Sequence, residues 1–230
     1  MTVLIGMPSK GRLMQKSFDW FGTRGLAVEA SDDSREYKAE TGMDGVETVL
    51  LAAGEIPREL AAGRLHLGVT GQDVVRERVA LWEDRVVEVA ELGFGHADLV
   101  LAVPRFWTDV VDLDDLDAVA GAFRATHGHR LRIATKYHRL VREFLREEGV
   151  ADYQLVDSQG ATEGTVRNLT AEAIADITST GETLRANHLK PLDGGLILKS
   201  QATLFKSRVA EWTDADRQVA ADLFARLGVA

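Results

Sequence analysis

Short apolar runs rich in β-branched residues alternate along this chain with segments whose apolar residues recur at helical spacing. Eight runs are predicted to be strands: "TVLIGM", "VETVLLA", "LHLGVTG", "VVEVAELG", "ADLVLAVP", "LRIATKY", "YQLVDS" and "AIADITS". Between them, "GRLMQKSFDWFGTRG" and "HRLVREFLREEG" place apolar residues on one helical face and stop at glycine, which predicts two helices. Strands that alternate with helices indicate an α/β fold.

Domain boundaries must be placed at turns, because no linker rich in Gly, Pro or Ser interrupts the pattern. The glycine-punctuated turn in "GFGHADLVLAVP" predicts a first crossing after residue 95, and "RANHLKPLDGG" predicts a return after residue 187. Domain I is then discontinuous, with residues 1–95 plus 188–230, and domain II is inserted as residues 96–187. Clefts between such domains are a frequent place for small ligands.

Composition narrows the classes of function. The 230 residues are 45% hydrophobic and 27% charged, as in globular proteins, and the formal net charge of −9 disfavours a nucleic-acid partner. Without cysteine the chain has no disulfide, thiolate nucleophile or cysteine metal site. The start of the chain lacks a signal-peptide pattern, and no apolar run approaches the roughly 20 residues of a membrane span. We therefore expect a cytoplasmic protein with no membrane partner.

The segment "ADITSTGETLRAN" joins a buried-looking strand to a predicted helix. Asp176 ends the apolar run, and Thr178, Ser179, Thr180 and Gly181 follow it. Hydroxyls and backbone NH groups at the start of a helix suit a phosphate, and the nearby carboxylate suits ribose hydroxyls. A ribose 5-phosphate needs both, although Ser and Thr are also the ordinary caps of helices.

Other polar residues follow other predicted strands. In "PSKGRL", Lys10 and Arg12 flank Gly11 as the chain turns into a helix, and they are either anion ligands or plain surface residues. In "GVTGQDV", Asp73 is either an acid in the first turn of a helix or a ligand acceptor.

Two further strand ends carry candidate ligands. In "IATKY", Lys136 suits a phosphate and Tyr137 suits stacking on a base, while Glu163 in "SQGATEG" suits a hydroxyl or Mg²⁺. The chain contains no HExxH, Gly-x-Ser-x-Gly, Walker or Gly-x-Gly-x-x-Gly pattern. Metalloprotease, hydrolase-triad, ordinary kinase and dinucleotide-binding functions therefore lose support.

Four of these segments, "PSKGRL", "LGVTGQDV", "RIATKYHRLVREFL" and "DITSTGETLRAN", resemble motifs of the ATP phosphoribosyltransferase family in the same order. The family transfers phosphoribose from phosphoribosyl pyrophosphate (PRPP) to ATP in the first step of histidine biosynthesis. The resemblance implies two α/β domains like those of type II periplasmic binding proteins, with the active site in the interdomain cleft.

The resemblance also implies roles for individual residues. The residues expected to bind PRPP are Glu163, Asp176, Thr178, Ser179, Thr180, Gly181, Glu182 and Thr183. Those expected to bind ATP are Gly11, Gly71, Asp73, Thr135, Lys136 and Tyr137. Those expected to act in catalysis are Lys10, Arg12 and Arg35. Mg²⁺ is expected to bind mainly through the pyrophosphate of PRPP rather than through protein ligands.

Arg35, in "DSREY", matches an arginine that the family uses near the nucleotide and the departing pyrophosphate. We expect Arg35→Ala to lower turnover far more than it weakens PRPP binding, which steady-state kinetics would test.

The chain departs from the family pattern at several positions. Where relatives often have Arg-Pro-x-Asp-Ile-Pro, this chain has "AAGEIP", so that Ala52 replaces an arginine and Glu55 an aspartate. This chain has "LTAE" where the family commonly has "GLAD", and "QGATE" where the family usually has "SGAVE". Ordinary type I phosphoribosyltransferases carry paired acids before the loop, whereas this chain has only Asp176.

Only one amphipathic segment, "DADRQVAADLFARLG", follows the strand that ends near Phe205, which indicates the short form of the family. Short-form members work with a regulatory partner resembling histidyl-tRNA synthetase, in a hetero-octamer that also contains homodimers of catalytic chains. Two rival functions stay open: a binding module of the same fold that closes on an anion, and a transferase that uses PRPP with another nucleophile.

Overall fold

A computed structural model describes residues 2–30, 38–158 and 160–229 of the chain. It forms two compact units, each with one β-sheet: unit 1 is Met1–His96 with Gln201–Ala230, and unit 2 is Ala97–Ser200. The strands are β1 (Val3–Pro8), β2 (Glu29–Ala30), β3 (Lys38–Glu40), β4 (Val46–Leu51), β5 (Leu67–Gly71), β6 (Val86–Glu91), β7 (Asp98–Pro104), β8 (Leu131–Thr135), β9 (Tyr153–Asp157), β10 (Ala173–Thr178), β11 (Leu189–Leu198) and β12 (Ala202–Ser207). The helices are α1 (Gly11–Gly22), α2 (Ile56–Ala61), α3 (Gln72–Arg78), α4 (Trp82–Arg85), α5 (Leu113–His127), α6 (His138–Glu147), α7 (Gly164–Arg167), α8 (Glu182–Ala186) and α9 (Asp214–Leu227). None of the helices within the described ranges is both long enough and apolar enough to cross a membrane.

The sheet of unit 1 has the strand order β2-β3-β4-β1-β5-β12-β6. The central strand β1 pairs in parallel with β4 and β5, and it is buried along nearly its whole length. Gly6 of β1 pairs with Gly68 of β5, and α2 packs over them. A Cβ on Gly68 would lie 2.7 Å from Cγ2 of buried Ile56, so the glycine lets the helix approach the sheet closely.

The sheet of unit 2 has the strand order β11-β7-β10-β8-β9. Strands β8, β9 and β10 are parallel neighbours, whereas β7 and β11 run antiparallel to their partners. Helices α5 and α6 contribute the buried residues Leu116, Val141 and Leu145 to the core of this unit. Each sheet therefore contains three neighbouring parallel strands with connecting helices against it, as the alternation of sequence patterns predicts.

All eight strands predicted from the sequence are confirmed, as are the helices α1 and α6 and the terminal helix α9. Strand β12 is the strand expected to end near Phe205, and strands β2, β3 and β11 are additional. The first crossing between the units lies after His96, within one residue of its predicted place.

The predicted return crossing after residue 187 is wrong, because the structure keeps the chain in unit 2 as far as Ser200. Strand β11 pairs antiparallel with β7, starting at Leu189 beside Pro104, and this pairing holds the segment in the second sheet. The strand was missed because it contains a register shift between Pro191 and Leu196, where proline and glycines give it the composition of a turn.

Helix α5 begins with a capping box, in which the side chain of Asp112 accepts a hydrogen bond from the Asp115 backbone NH at 3.0 Å. We expect Asp112→Ala to lower the free energy of unfolding by about 1 kcal/mol, because the NH groups of the first turn lose their acceptor. Urea-induced unfolding would measure this. Asp114→Ala removes the same charge from the same turn but no cap, so equal losses in the two variants would refute the capping role.

Candidate functional site

The carboxyl ends of β4, β1 and β5 lie side by side at one edge of the unit 1 sheet, because these strands are parallel neighbours. The segment after β1 carries Lys10, Gly11 and Arg12, and the segment after β5 carries Gly71 and Asp73. The structure thus brings these five predicted residues to one edge, which is the usual ligand side of an α/β sheet.

Lys10 and Arg12 flank the start of α1, and both side chains are exposed. Gly11 has a φ of +74°, a left-handed conformation that glycine adopts without a Cβ clash. Neither cation forms a salt bridge with a residue inside the described ranges. Two exposed positive charges on a tight turn at this edge are well placed to bind an anion.

Asp73 lies in the first turn of α3 and is only 4% exposed. This burial agrees with a carboxylate that stabilises the start of its helix, and it leaves the group little open surface for a ligand. The role of Asp73 as a ligand acceptor for ATP stays a prediction.

The departure from the family pattern after β4 has a local structural role. Glu55 Oε2 accepts a hydrogen bond from the backbone NH of Ala52 at 3.0 Å and closes the turn before α2. The loop is tied to β5 by Thr70 Oγ1, which donates to the carbonyl of Ala53 at 2.9 Å. Arg35, the third predicted catalytic residue, lies outside the described residues.

The carboxyl ends of β8, β9 and β10 form the corresponding edge of the unit 2 sheet. Ala175 pairs with Thr135 in the last pair between β10 and β8, and Asp176 and Lys136 are the residues that directly follow this pair in sequence. Thr135 itself is fully buried, and its Oγ1 accepts a hydrogen bond from the Tyr137 NH at 2.9 Å. Thr135 therefore shapes the turn, whereas Asp176 and Lys136 are accessible.

Lys136 connects this turn to the loop that carries Glu163. Its Nζ donates to the carbonyl of Gly160 at 2.7 Å, and Ser158 Oγ donates to Thr162 Oγ1 at 3.0 Å inside the same loop. Glu163 is half-buried at the start of α7. The structure thus brings Lys136, Glu163 and Asp176 to one sheet edge.

Tyr137 is half-buried and packs against the core of unit 2, at the start of α6. Part of its ring is therefore committed to the core, which limits the face available for stacking on a base.

The predicted PRPP loop joins β10 to α8. Thr178 Oγ1 accepts a hydrogen bond from the Gly181 NH at 2.9 Å, and Thr180 Oγ1 accepts one from the Glu182 NH at 3.4 Å. Gly181 has a φ of +71°, and the side chains of Ser179, Thr180, Glu182 and Thr183 are exposed. The loop is a tight turn lined by hydroxyl groups.

The helix that follows this loop is short, since α8 contains five residues. Its peptide dipoles are too few to make a strong positive end, so an anion at this loop would depend on side-chain charge and on hydrogen bonds.

Arg185 is a residue that the sequence reasoning missed. Its guanidinium lies over Gly181, because a Cβ at that glycine would be 3.1 Å from Nη1. In the sequence, its spacing could have indicated this position, because Arg185 follows Gly181 by one helical turn. In the structure, the backbone NH of Arg185 donates to the Gly181 carbonyl at 3.0 Å.

Comparisons with known proteins identify the family of the chain. Residues 52–228 match the family model described as "HisG: ATP phosphoribosyltransferase". The curated "ATP phosphoribosyltransferase" of Cereibacter sphaeroides is 69% identical over 230 residues, covering 100% of this chain and 97% of that protein. The enzyme of the same description from Mesorhizobium japonicum is 47% identical and covers 99% of each chain.

Solved structures show the fold. A chain of the "ATP phosphoribosyl transferase (HisG:HisZ) complex" of Thermotoga maritima has a TM-score of 0.74 at 21% identity, with 99% of this chain and 96% of that chain covered. A probable extracellular-binding protein of a Bacillus subtilis amino-acid ABC transporter has a TM-score of 0.54 at 9% identity, covering 99% and 91%. The predicted likeness to periplasmic binding proteins is thus confirmed at the level of fold. Given the family match over residues 52–228 and the 69% identical relative, this chain belongs to the ATP phosphoribosyltransferase family.

Proposed function

We propose that this chain transfers the 5-phosphoribosyl group of PRPP to N1 of ATP, forming N1-(5-phosphoribosyl)-ATP and pyrophosphate in the first step of histidine biosynthesis. The observation that carries the proposal is the hydroxyl-lined turn at residues 178–183, which follows Asp176 at the carboxyl end of β10 and lies within the family match. Membership of the family makes this reaction the first to test.

The chemistry requires positioning and charge stabilisation rather than a protein nucleophile. The lone pair of adenine N1 forms the new bond to C1 of the ribose, with inversion, while the C1–O bond breaks and its electrons leave with pyrophosphate. Positive charge builds on the ribose and negative charge on the leaving group. Residues that neutralise pyrophosphate and hold N1 in line with C1 therefore supply the rate enhancement.

Unit 1 supplies cations for this role. Lys10 and Arg12 are exposed on the turn around Gly11, so they are available to phosphate oxygens. We assign to them, with Arg35, the stabilisation of the departing pyrophosphate. Gly11 and Gly71 would let backbone NH groups approach ATP closely, and the Asp73 carboxylate in the first turn of α3 would accept a hydrogen bond from ATP.

Unit 2 supplies the PRPP loop. The carboxylate of Asp176 suits the ribose hydroxyls, and the hydroxyls of Thr178, Ser179, Thr180 and Thr183 suit the 5-phosphate together with the NH groups of the turn. Lys136, bonded to Gly160, orients the loop of Glu163 and contributes a positive charge at the same edge.

The carboxylates of Asp176 and Glu163 are the oxygen donors that Mg²⁺ prefers. The described residues contain no group of three or more His, Cys, Asp or Glu arranged to hold a metal. The two carboxylates of Asp176 and Glu163 would suit a Mg²⁺ ion that is bound mainly by the pyrophosphate, since such an ion needs only one or two protein carboxylates. When bound, Mg²⁺ would neutralise charge on the leaving group.

For assembly we propose a regulatory partner resembling histidyl-tRNA synthetase, in a hetero-octamer containing homodimers of this chain. Support comes from the Thermotoga maritima structure, which is a HisG:HisZ complex. The nearly complete coverage of the Cereibacter and Mesorhizobium proteins agrees with a short-form chain.

The test mixes the purified chain with ATP, PRPP and Mg²⁺ and follows N1-phosphoribosylation by ultraviolet absorbance, with and without a synthetase-like protein from the same genome. Product that increases with the partner is the expected result. No product in either mixture, together with tight calorimetric binding of a small anion, would favour a binding module of the same fold. Product from another nucleophile but not from ATP would refute the assigned acceptor.

A further inference from the structure

The PRPP loop carries an excess of negative charge before any substrate binds. Between residues 176 and 186 the acids are Asp176 and Glu182, and Arg185 is the only basic residue. A sugar phosphate brings further negative charge to this turn, and the five-residue helix α8 offers little compensation. Hydroxyl groups satisfy the hydrogen bonds of a phosphate but do not neutralise it, so the subsite needs a cation.

Arg185 is the cation whose position fits. Its guanidinium lies against the turn, since a Cβ on Gly181 would be 3.1 Å from Nη1 and 3.9 Å from Cζ. The residue is exposed, and the part of the chain that the structure describes offers it no salt-bridge partner. The planar group can therefore present two NH donors to one phosphate.

The other predicted cation at this sheet edge, Lys136, forms a hydrogen bond with a different loop. Lys136 directly follows β8, and its Nζ donates to the carbonyl of Gly160 at 2.7 Å, in the loop that carries Glu163. Lys136 is thereby directed to the 158–163 loop, and Arg185 to the 178–183 loop.

We propose that Arg185 binds the 5-phosphate of PRPP and supplies the positive charge of that subsite. The proposal rests on the proposed function, because it assigns one residue within the same site. It makes Arg185 a residue that selects phosphorylated over unphosphorylated sugars, acting in substrate binding rather than on the reacting C1 atom.

Three variants test this in the full chain with its partner, if the partner is needed for activity. Arg185→Ala is expected to raise KM for PRPP by about 10- to 100-fold, with kcat at saturating PRPP nearly unchanged. Arg185→Lys keeps the positive charge but loses the planar guanidinium with its two NH donors, so it should recover part of the affinity for PRPP. Arg142→Ala serves as the control, because Arg142 is an exposed arginine of α6 that lines a separate depression with Arg130 and Tyr153.

Calorimetry separates a charge contact from a structural effect. Arg185→Ala should weaken ribose 5-phosphate binding and leave pyrophosphate binding unchanged, and rising salt should weaken the wild-type affinity more than that of the variant. An unchanged KM, or an equal loss in the alanine and lysine variants, would overturn the assignment. A wild-type chain that makes no product would refute the proposed function, whereas the ribose 5-phosphate titration would still test Arg185.

Discussion

Replacing Arg12 with alanine is expected to lower kcat for phosphoribosyl transfer by about 10²–10³-fold. The guanidinium lies exposed at the start of α1, where no described residue pairs with it in a salt bridge. It can therefore meet the charge that develops on the leaving pyrophosphate, which is larger in the transition state than in the bound substrate. Steady-state kinetics with varied PRPP and ATP would separate kcat from KM.

The matched control is Lys16→Ala, which removes another exposed cation from the same helix. We expect Lys16→Ala to leave kcat close to the wild-type value, since Lys16 lies beyond the first turn. Equal losses in the two variants would mean that the general charge of α1 matters, and a normal kcat in Arg12→Ala would remove Arg12 from the transition state.

The second large effect concerns stability and involves an ion pair at the opposite end of the unit 2 strands from the PRPP loop. Arg132 Nε and the Arg132 NH donate to Glu172 Oε2 at 3.1 and 2.8 Å, and Nη2 donates to Oε1 at 2.5 Å. The Glu172 side chain is only 14% exposed, and it directly precedes β10. The pair therefore ties the start of β10 to β8.

Burial raises the pKa of the Glu172 carboxyl, but the hydrogen bonds and charge of Arg132 outweigh it, so the folded-state pKa lies below its ordinary value of 4.5. A carboxyl with a lowered pKa contributes stability above its unfolded-state pKa. That contribution disappears as the pH falls from about 4.5 through the folded-state value.

We expect Glu172→Gln to lower the free energy of unfolding by about 2 kcal/mol at pH 7, because Arg132 loses its charged partner in a half-buried position. The difference from wild type should shrink below pH 4.5, where the wild-type carboxyl becomes protonated. Urea-induced unfolding at several pH values would measure both effects.

Glu59→Gln is the control for this experiment, since Glu59 forms a similarly short pair with Arg64 whose side chain is 63% exposed. Solvent screens such a pair, so its loss should be smaller. A Glu172→Gln difference that stays constant from pH 7 to acid would show that the charge of Glu172 does not stabilise the fold.

The strands and helices that the sequence predicted share a clear apolar pattern. Strand β1 is a continuous apolar run because it is covered on both faces, and α6 has one apolar face with charges opposite. Strand β11 lacks such a pattern. Pro191, Gly194 and Gly195 interrupt it, and a Cβ on Gly195 would meet the Leu101 carbonyl of β7 at 3.2 Å. Its pairing depends on contacts distant in sequence, which local composition does not reveal.

In the candidate site, too, some features follow from the sequence and others appear only in the tertiary structure. The sequence by itself determined the α/β class, the family and the motifs that follow β1, β5, β8 and β10, because strand periodicity and short polar motifs are local properties of the chain. Only the tertiary structure decided that Asp176 and Lys136 lie at the same sheet edge, that Asp73 is buried and that the Arg185 guanidinium lies over Gly181. These relations depend on sheet register, burial and the path of a long side chain, which arise when segments distant in sequence pack together.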